Sequence, residues 1–222
     1  NRNTDFPLVR RRRSTVKNIF PTEAFSPLLS FSYALAEWAY FQFEKARNDE
    51  KIDFHSGTEF VNAQKSGFVP LFWMNGKPHP IHFIPVKLCA AAVRRFKNKT
   101  SNSLVPNLSF LHILILIFET GIRLIHARWL DIRTYRQAVN EKHYKLRDYS
   151  INYLHVNTDK VNSAWDSTVS NTVIEMLDRQ AEYRNSFNEK FLNETLWYGR
   201  NEDSRFGKIL PLFSTGGVAS AI

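Results

Sequence analysis

The apolar positions of this 222-residue chain change their spacing several times, and each change marks an element. From Pro27 to Arg47, the residues Leu28, Leu29, Phe31, Leu35, Trp38, Ala39 and Phe43 recur at three- and four-residue intervals, which predicts an amphipathic helix. Residues 48–85 lose that rhythm. Gly57, Gly67, Gly76, Pro70, Pro78, Pro80 and Pro85 punctuate short apolar pieces, so a loop with a short strand pair turning near Asn75-Gly76 is expected. A second helix is predicted from Val86 to Phe96, with Arg94, Arg95 and Lys97 as cations suited to its C-terminal end. Residues 98–107 read as a polar connector, and Pro106 fits the start of a third helix. That helix, Leu108 to Glu119, is apolar on nearly all faces and belongs in the middle of the domain. Thr120-Gly121 breaks it, and a further helix or turn carries Arg123 to Leu130.

After Asp131 the period shortens. Ile151, Tyr153 and Val156, then Trp165, Thr168 and Val169, flank the polar stretch 159–163 and predict a β-hairpin over residues 151–169. Thr172 and Glu175 form a Thr-x-x-Glu capping box for a helix reaching about Asn185, with Val173, Ile174, Leu177 and Ala181 on one face. Residues 186–222 are mixed, with a short helix expected around Glu189 to Trp197. The expected fold class is α+β, mostly helical with a small antiparallel β-hairpin or sheet. Three regions follow: a basic arm (1–21), an upstream helical and loop region (22–85), and a remainder (86–222).

Hydrophobic residues make up 43% of the chain, enough for a core, which excludes a wholly disordered polymer. Thirty Lys and Arg against 21 Asp and Glu give a net charge of +9. Such a balance favours polyanionic partners, nucleic acid before anionic membrane, with a merely solvated basic surface as the alternative. Arg10, Arg11, Arg12 and Arg13 concentrate that charge, either as an arm on DNA phosphates or as a solvated tail. The longest apolar run, 108–118, falls short of the roughly 20 residues a bilayer span needs, so no membrane partner is expected. The single cysteine, Cys89, lies among Leu88 and Ala90–Ala92, reads as a small core residue and fits a reducing, cytoplasmic setting. No signal peptide is visible, and the absence of an initial Met reads as a fragment boundary.

The most informative stretch is Phe118-Glu119-Thr120-Gly121-Ile122-Arg123, followed by Trp129-Leu130-Asp131. A buried helix ends at a Thr-Gly turn and delivers one arginine. Downstream, Asn157-Thr158-Asp159-Lys160 places a lysine inside the predicted hairpin, and a long helix follows. In this order of elements, over about residues 106–185, the chain resembles the tyrosine recombinase (phage integrase) family. The resemblance implies a partial recombinase-like catalytic domain over 86–222 and a site-specific recombinase that joins DNA through a phosphotyrosyl intermediate. Arg123 would bind the scissile phosphate, and Lys160 would be the general acid for the departing 5′ oxygen. His126, in the place of the family's supporting acidic residue, and Asp131 would stand behind Arg123. Double-stranded DNA and self-association in a synaptic complex are the implied partners, with no ATP, cofactor or required metal.

The chemistry of these residue types agrees with those roles. A guanidinium fork matches two non-bridging phosphate oxygens and stays charged at any workable pH. A hairpin lysine can enter a groove and donate a proton. The ordinary alternatives are a helix-start arginine paired with Asp131 or Glu119, and a solvated turn lysine beside Asp159. The family's His-x-x-Arg box is missing, since no histidine follows His155; the expectation is that the chain stops before the box and the nucleophile. Tyr183 and Tyr198 are therefore not assigned as the nucleophile, and Tyr198 reads as part of a packed aromatic segment. His79 and His82 lack companion ligands for a metal, so no metal site is assigned, and His112 reads as a satisfied core histidine. A non-catalytic DNA-binding module is the competing function, and an interaction scaffold without a nucleic-acid role is a third.

Overall fold

The amphipathic stretch after Pro21 forms one helix, α1 (Thr22–Arg47), which begins five residues before the predicted start. It is seen in a computed structural model that describes residues 21–50, 52, 58–89, 94–97, 102–140, 151–158, 164–187 and 194–213. Leu35, Trp38, Ala39, Phe43 and Ala46 are its buried stripe, and the Trp38 indole donates to Ser66 Oγ at 2.9 Å. The punctuated region after it makes four short strands: β1 (Phe60–Asn62), β2 (Leu71–Met74), β3 (Lys77–Pro80) and β4 (Phe83–Pro85). β1 pairs antiparallel with β4, and β2 with β3. The β2–β3 turn is the expected Asn75-Gly76. Both residues have positive φ (53° and 72°), the mirror-image turn that matches strand twist and that Asn-Gly tolerates.

The predicted helix from Val86 to Phe96 is contradicted from Arg94 onward. Among the described residues of that span only α2 (Val86–Cys89) is helical; Arg94–Lys97 is strand β5, paired antiparallel with β6 (Asn102–Val105), and residues 90–93 lie outside the described ones. The predicted connector 98–107 therefore contains a strand. An arginine- and lysine-rich tetrapeptide suits a helix end or an edge strand equally well, and pairing with β6 decides for the strand.

The apolar run forms α3 (Leu108–Thr120). Its cap is Asn107, whose side chain accepts from the Ser109 N–H, so Pro106 precedes the cap rather than opening the helix. α3 packs against α1 and, after a short α4 (Leu124–Arg128), against the later hairpin and helix. The hairpin is β7 (Ile151–Val156) with β8 (Trp165–Ser170), in the register Ile151↔Ser170 to Val156↔Trp165. Its inward faces carry Leu154, Val156 and Val169. The next helix, α5 (Asn171–Asn185), is capped by Ser170, the last residue of β8, whose Oγ accepts from Val173 N–H at 3.4 Å. The predicted Thr172 cap thus lies inside the helix. The expected helix around Glu189 to Trp197 is contradicted at its end, where Leu196–Trp197 is strand β9, paired with β10 (Lys208–Ile209); residues 188–193 lie outside the described ones.

The architecture is mixed helix and two-stranded antiparallel sheets. One apolar cluster runs from α1 through Val61 and Ile84, along α3, into Leu154, Val156 and Val169, and across α5 to Phe213. Among the described residues no helix is long and apolar enough to cross a membrane.

A polar knot crosses this core. Gln180 of α5, fully buried, donates through Nε2 to Ser109 Oγ (3.0 Å) and to the Leu212 carbonyl (3.3 Å). Its Oε1 meets His112 Nδ1 at 2.9 Å. A carbonyl oxygen only accepts, so the amide nitrogen must face Leu212 and Oε1 must accept from His112, which fixes that imidazole as the Nδ1–H tautomer. His112 is thus the satisfied core histidine the sequence implied. Burial pushes its pKa down to about 4, with Arg179 adding to the lowering and the Gln180 bond opposing it. Between that value and the unfolded value near 6.5 the unfolded chain binds the extra proton. Stability from this group is therefore complete above that window and is lost as pH falls through it. Chemical denaturation should show a decrease of about 2 kcal/mol from pH 7.5 to pH 5 attributable to His112. A His112→Phe variant with unchanged pH dependence would remove that attribution.

Candidate functional site

The end of α3 is built to project one side chain. Gly121 adopts the left-handed conformation (φ 67°) and returns its N–H to the Ile117 carbonyl, which closes the helix. Thr120 Oγ1 donates to the Leu116 carbonyl and accepts from the Ile122 N–H. Ile122 turns into the core. Arg123 then emerges in extended conformation (φ −68°, ψ 144°) as the residue capping α4, and its carbonyl accepts from the N–H groups of His126 and Ala127. The Arg123 carbonyl and the Ile122 N–H just before it are thus both hydrogen-bonded. The side chain is exposed and makes no hydrogen bond or ion pair with any described residue. The expected alternative partners are engaged elsewhere: Asp131 receives the Arg133 guanidinium, and Glu119 accepts from Tyr33 Oη at 3.0 Å.

The following segment is tied to the end of the hairpin. Asn157, just past β7, accepts from the Asp131 N–H at 3.1 Å and donates to the Trp129 carbonyl at 3.2 Å. Thr158 is fully buried, and its Oγ1 lies 3.0 Å from His126 Nδ1. Tyr198 Oη approaches the same nitrogen at 3.2 Å. Tyr198 comes from a short 3₁₀ turn (Tyr198–Arg200) and packs against Trp129 and Phe206, at ring separations of 5.6 and 4.7 Å. Burial raises its phenol pKa, opposed by a hydrogen bond with Thr158. It is a packed aromatic residue, as read from the sequence.

His126 and Asp131 are both buried on the segment that Arg123 opens. His126 reaches Thr158 and Tyr198, while Asp131 joins Arg133 through its carboxylate and Asn157 through its N–H. Lys160 and its neighbour Asp159 lie outside the described residues, as do Arg10, Arg11, Arg12 and Arg13. The two arms of the candidate site therefore meet at His126–Thr158 and Asp131–Asn157, three residues after Arg123 and two before Lys160 at the nearest points. Asn157, Thr158, Trp129 and Tyr198 make this joint. Sequence reasoning quoted all four without giving them that role, because a contact between residues 126 and 198 leaves no local signature.

Tyr183 is fully buried and donates to the Pro106 carbonyl at 2.9 Å. His79 lies on β3 against Phe72, and His82 is exposed. Among the described residues no group of three or more His, Cys, Asp or Glu could hold a metal ion. The chain matches no protein-family model, no curated protein and no solved structure.

What the described arrangement can do follows from Arg123. An exposed guanidinium stays charged at any workable pH and can offer two N–H donors to an oxyanion.

Proposed function

We propose that this chain is part of the catalytic domain of a tyrosine-type, site-specific DNA recombinase. The observation that supports it best is the joint between the Arg123 segment and the end of β7. Two stretches 26 and 32 residues apart along the chain are linked by Asn157–Asp131 and Thr158–His126 hydrogen bonds. The described end of β7 thus lies beside the segment that opens with Arg123.

In the proposed reaction a tyrosine hydroxyl attacks phosphorus and releases its proton to solvent, a phosphotyrosyl bond forms, and the bond to the 5′ oxygen breaks. Arg123 binds the non-bridging oxygens and offsets the charge that grows on them. Lys160 supplies the proton to the departing oxygen. His126, clasped by Thr158 and Tyr198, keeps α4 and hence Arg123 in place. The bond energy stays in the phosphotyrosyl link, so rejoining needs no nucleotide.

DNA binding is the first test. If the basic surface engages four backbone phosphates, affinity for a duplex should fall about 10²-fold between roughly 50 and 200 mM salt. A flat response would leave the scaffold reading in place. The enzyme and the non-catalytic module separate at the next step. Protein translated through the reading frame past Ile222, incubated with a nicked duplex, should yield a covalent protein–DNA band on a denaturing gel. A stop codon shortly after Ile222, or salt-dependent binding with no covalent band, favours the module.

A further inference from the structure

The strands after α1 carry a surface that the proposed reaction leaves unused. The β1–β4 and β2–β3 ladders join end to end: the Ala63 N–H donates to the His82 carbonyl and the Ile81 N–H to the Pro70 carbonyl, each at 2.9 Å. Together they make one two-stranded ribbon that ends at the Asn75-Gly76 turn. Its inner side is packed, with Val61 and Ile84 buried and Phe72 set edge-on against Phe31 of α1. Its outer side is bare. The cross-strand pairs Trp73↔Pro78 and Leu71↔Pro80 are exposed on one half, and Phe60 and Phe83 on the other. Phe60 is 60% exposed, Trp73 57% and Phe83 63%. Among the described residues none of these three rings meets another ring or a cation, and the Trp73 indole N–H has no acceptor.

Spare positive charge lies along the same ribbon. Over residues 58–89 the chain has Lys65, Lys77 and Lys87 against the single carboxylate of Glu59. The three lysines are exposed, and their ammonium groups pair with no described residue. Free rings beside free cations fit a partner that brings flat apolar faces and anionic groups together. Other occupants fit worse. A strand is not easily added, because Pro78 and Pro80 have no N–H and the Trp73 N–H is already given to Ser30 Oγ at 2.8 Å. A second copy would set these lysines against their equals. A bilayer would have to take in the polar, charged tip Asn75-Gly76-Lys77. In a duplex the bases cover one another's faces, so an unpaired strand is what offers them to a side chain.

We infer that this ribbon binds single-stranded nucleic acid, with bases stacked on Trp73, Phe60 and Phe83 and phosphates met by the flanking lysines. Fluorescence anisotropy on the chain as it stands tests it with three labelled probes: an oligothymidylate, an abasic strand of the same length, and the duplex of the oligothymidylate with its complement. The oligothymidylate should bind at least about fivefold more tightly than the abasic strand, which has the phosphates without the bases. Trp73→Ala should weaken oligothymidylate binding about five- to hundredfold and leave the other two probes within about twofold. Trp73→Phe, which keeps a ring, should recover most of that loss. Phe83→Ala repeats the measurement on the other half of the ribbon, and melting temperatures confirm that each variant is folded. Equal affinity for the abasic and base-bearing strands overturns the inference, as does an equal loss on the duplex, or folded Trp73→Ala and Phe83→Ala variants that both bind as before. Trp73-dependent binding to vesicles of phosphatidylcholine and phosphatidylserine, without base-dependent binding of the oligothymidylate, assigns the face to a membrane instead and also overturns it. None of these results depends on a covalent protein–DNA band, so the recombinase proposal and this one fail separately.

Discussion

If the proposed reaction holds, strand cleavage by protein translated through the reading frame past Ile222 is expected to drop about 10²- to 10³-fold when Arg123 becomes alanine, the usual cost of deleting one oxyanion donor. The size follows from the geometry. Arg123 faces solvent, pairs with no described residue, and its carbonyl accepts from the His126 and Ala127 N–H groups, so its charge is available to a phosphate. The same exposure means that the substitution should leave stability within about 0.5 kcal/mol, so that lost activity is not lost folding. Arg123→Lys should restore only part of the rate, because an ammonium presents a point charge where the fork presents two parallel donors. Single-turnover cleavage of a nicked duplex, with melting temperature and DNA affinity as controls, measures all three. Unaltered cleavage by Arg123→Ala would remove this residue from the reaction.

The largest effect on stability is expected at Gln180. Replacing it with alanine strands the His112 N–H and the Leu212 carbonyl in a buried site, and removes the donor to Ser109 Oγ. Each stranded buried group costs about 1–3 kcal/mol, and the emptied volume adds to it, so a loss of about 3–5 kcal/mol is expected in urea denaturation. That is a large share of the 5–15 kcal/mol typical of a domain. A double-mutant cycle with His112→Ala should return a coupling of about 1–2 kcal/mol, since one partner's removal already spoils the other's bond. Strictly additive effects would show that the two side chains do not act as a pair.

These expectations rest on features of unequal visibility in the sequence. The apolar run from Leu108, its stop at Thr120-Gly121, the Asn75-Gly76 turn and the 151–170 hairpin are local affairs. In each case the residues that form the element also announce it. Other features are settled at a distance. Arg94–Lys97 is a strand because Asn102–Val105 lies beside it, and nothing within the tetrapeptide says so. Ser170 rather than Thr172 caps α5 because the register of β8 carries the strand up to Ser170. Arg123 could be singled out because its turn is legible, whereas the hold on its segment by Asn157, Thr158 and Tyr198 arises only when three separate parts of the chain close on one another. Gln180 and His112, 68 positions apart, are likewise matched by helix packing alone.

Helix α1 has a consequence for anyone who wishes to trim the molecule. At 26 residues it is about 39 Å long, and it sends Trp38, Phe43 and Ala46 into the cluster that also contains Leu154 of the hairpin and Tyr183 of α5. Its outer side is latched to α5 by the Glu37–Arg179 and Arg47–Glu182 pairs. A fragment begun after residue 85 would peel away one wall of the interior and leave a greasy trench along α3 and α5, prone to clump with its own kind. The spine and the face that presents Arg123 travel together, as a single inheritable piece.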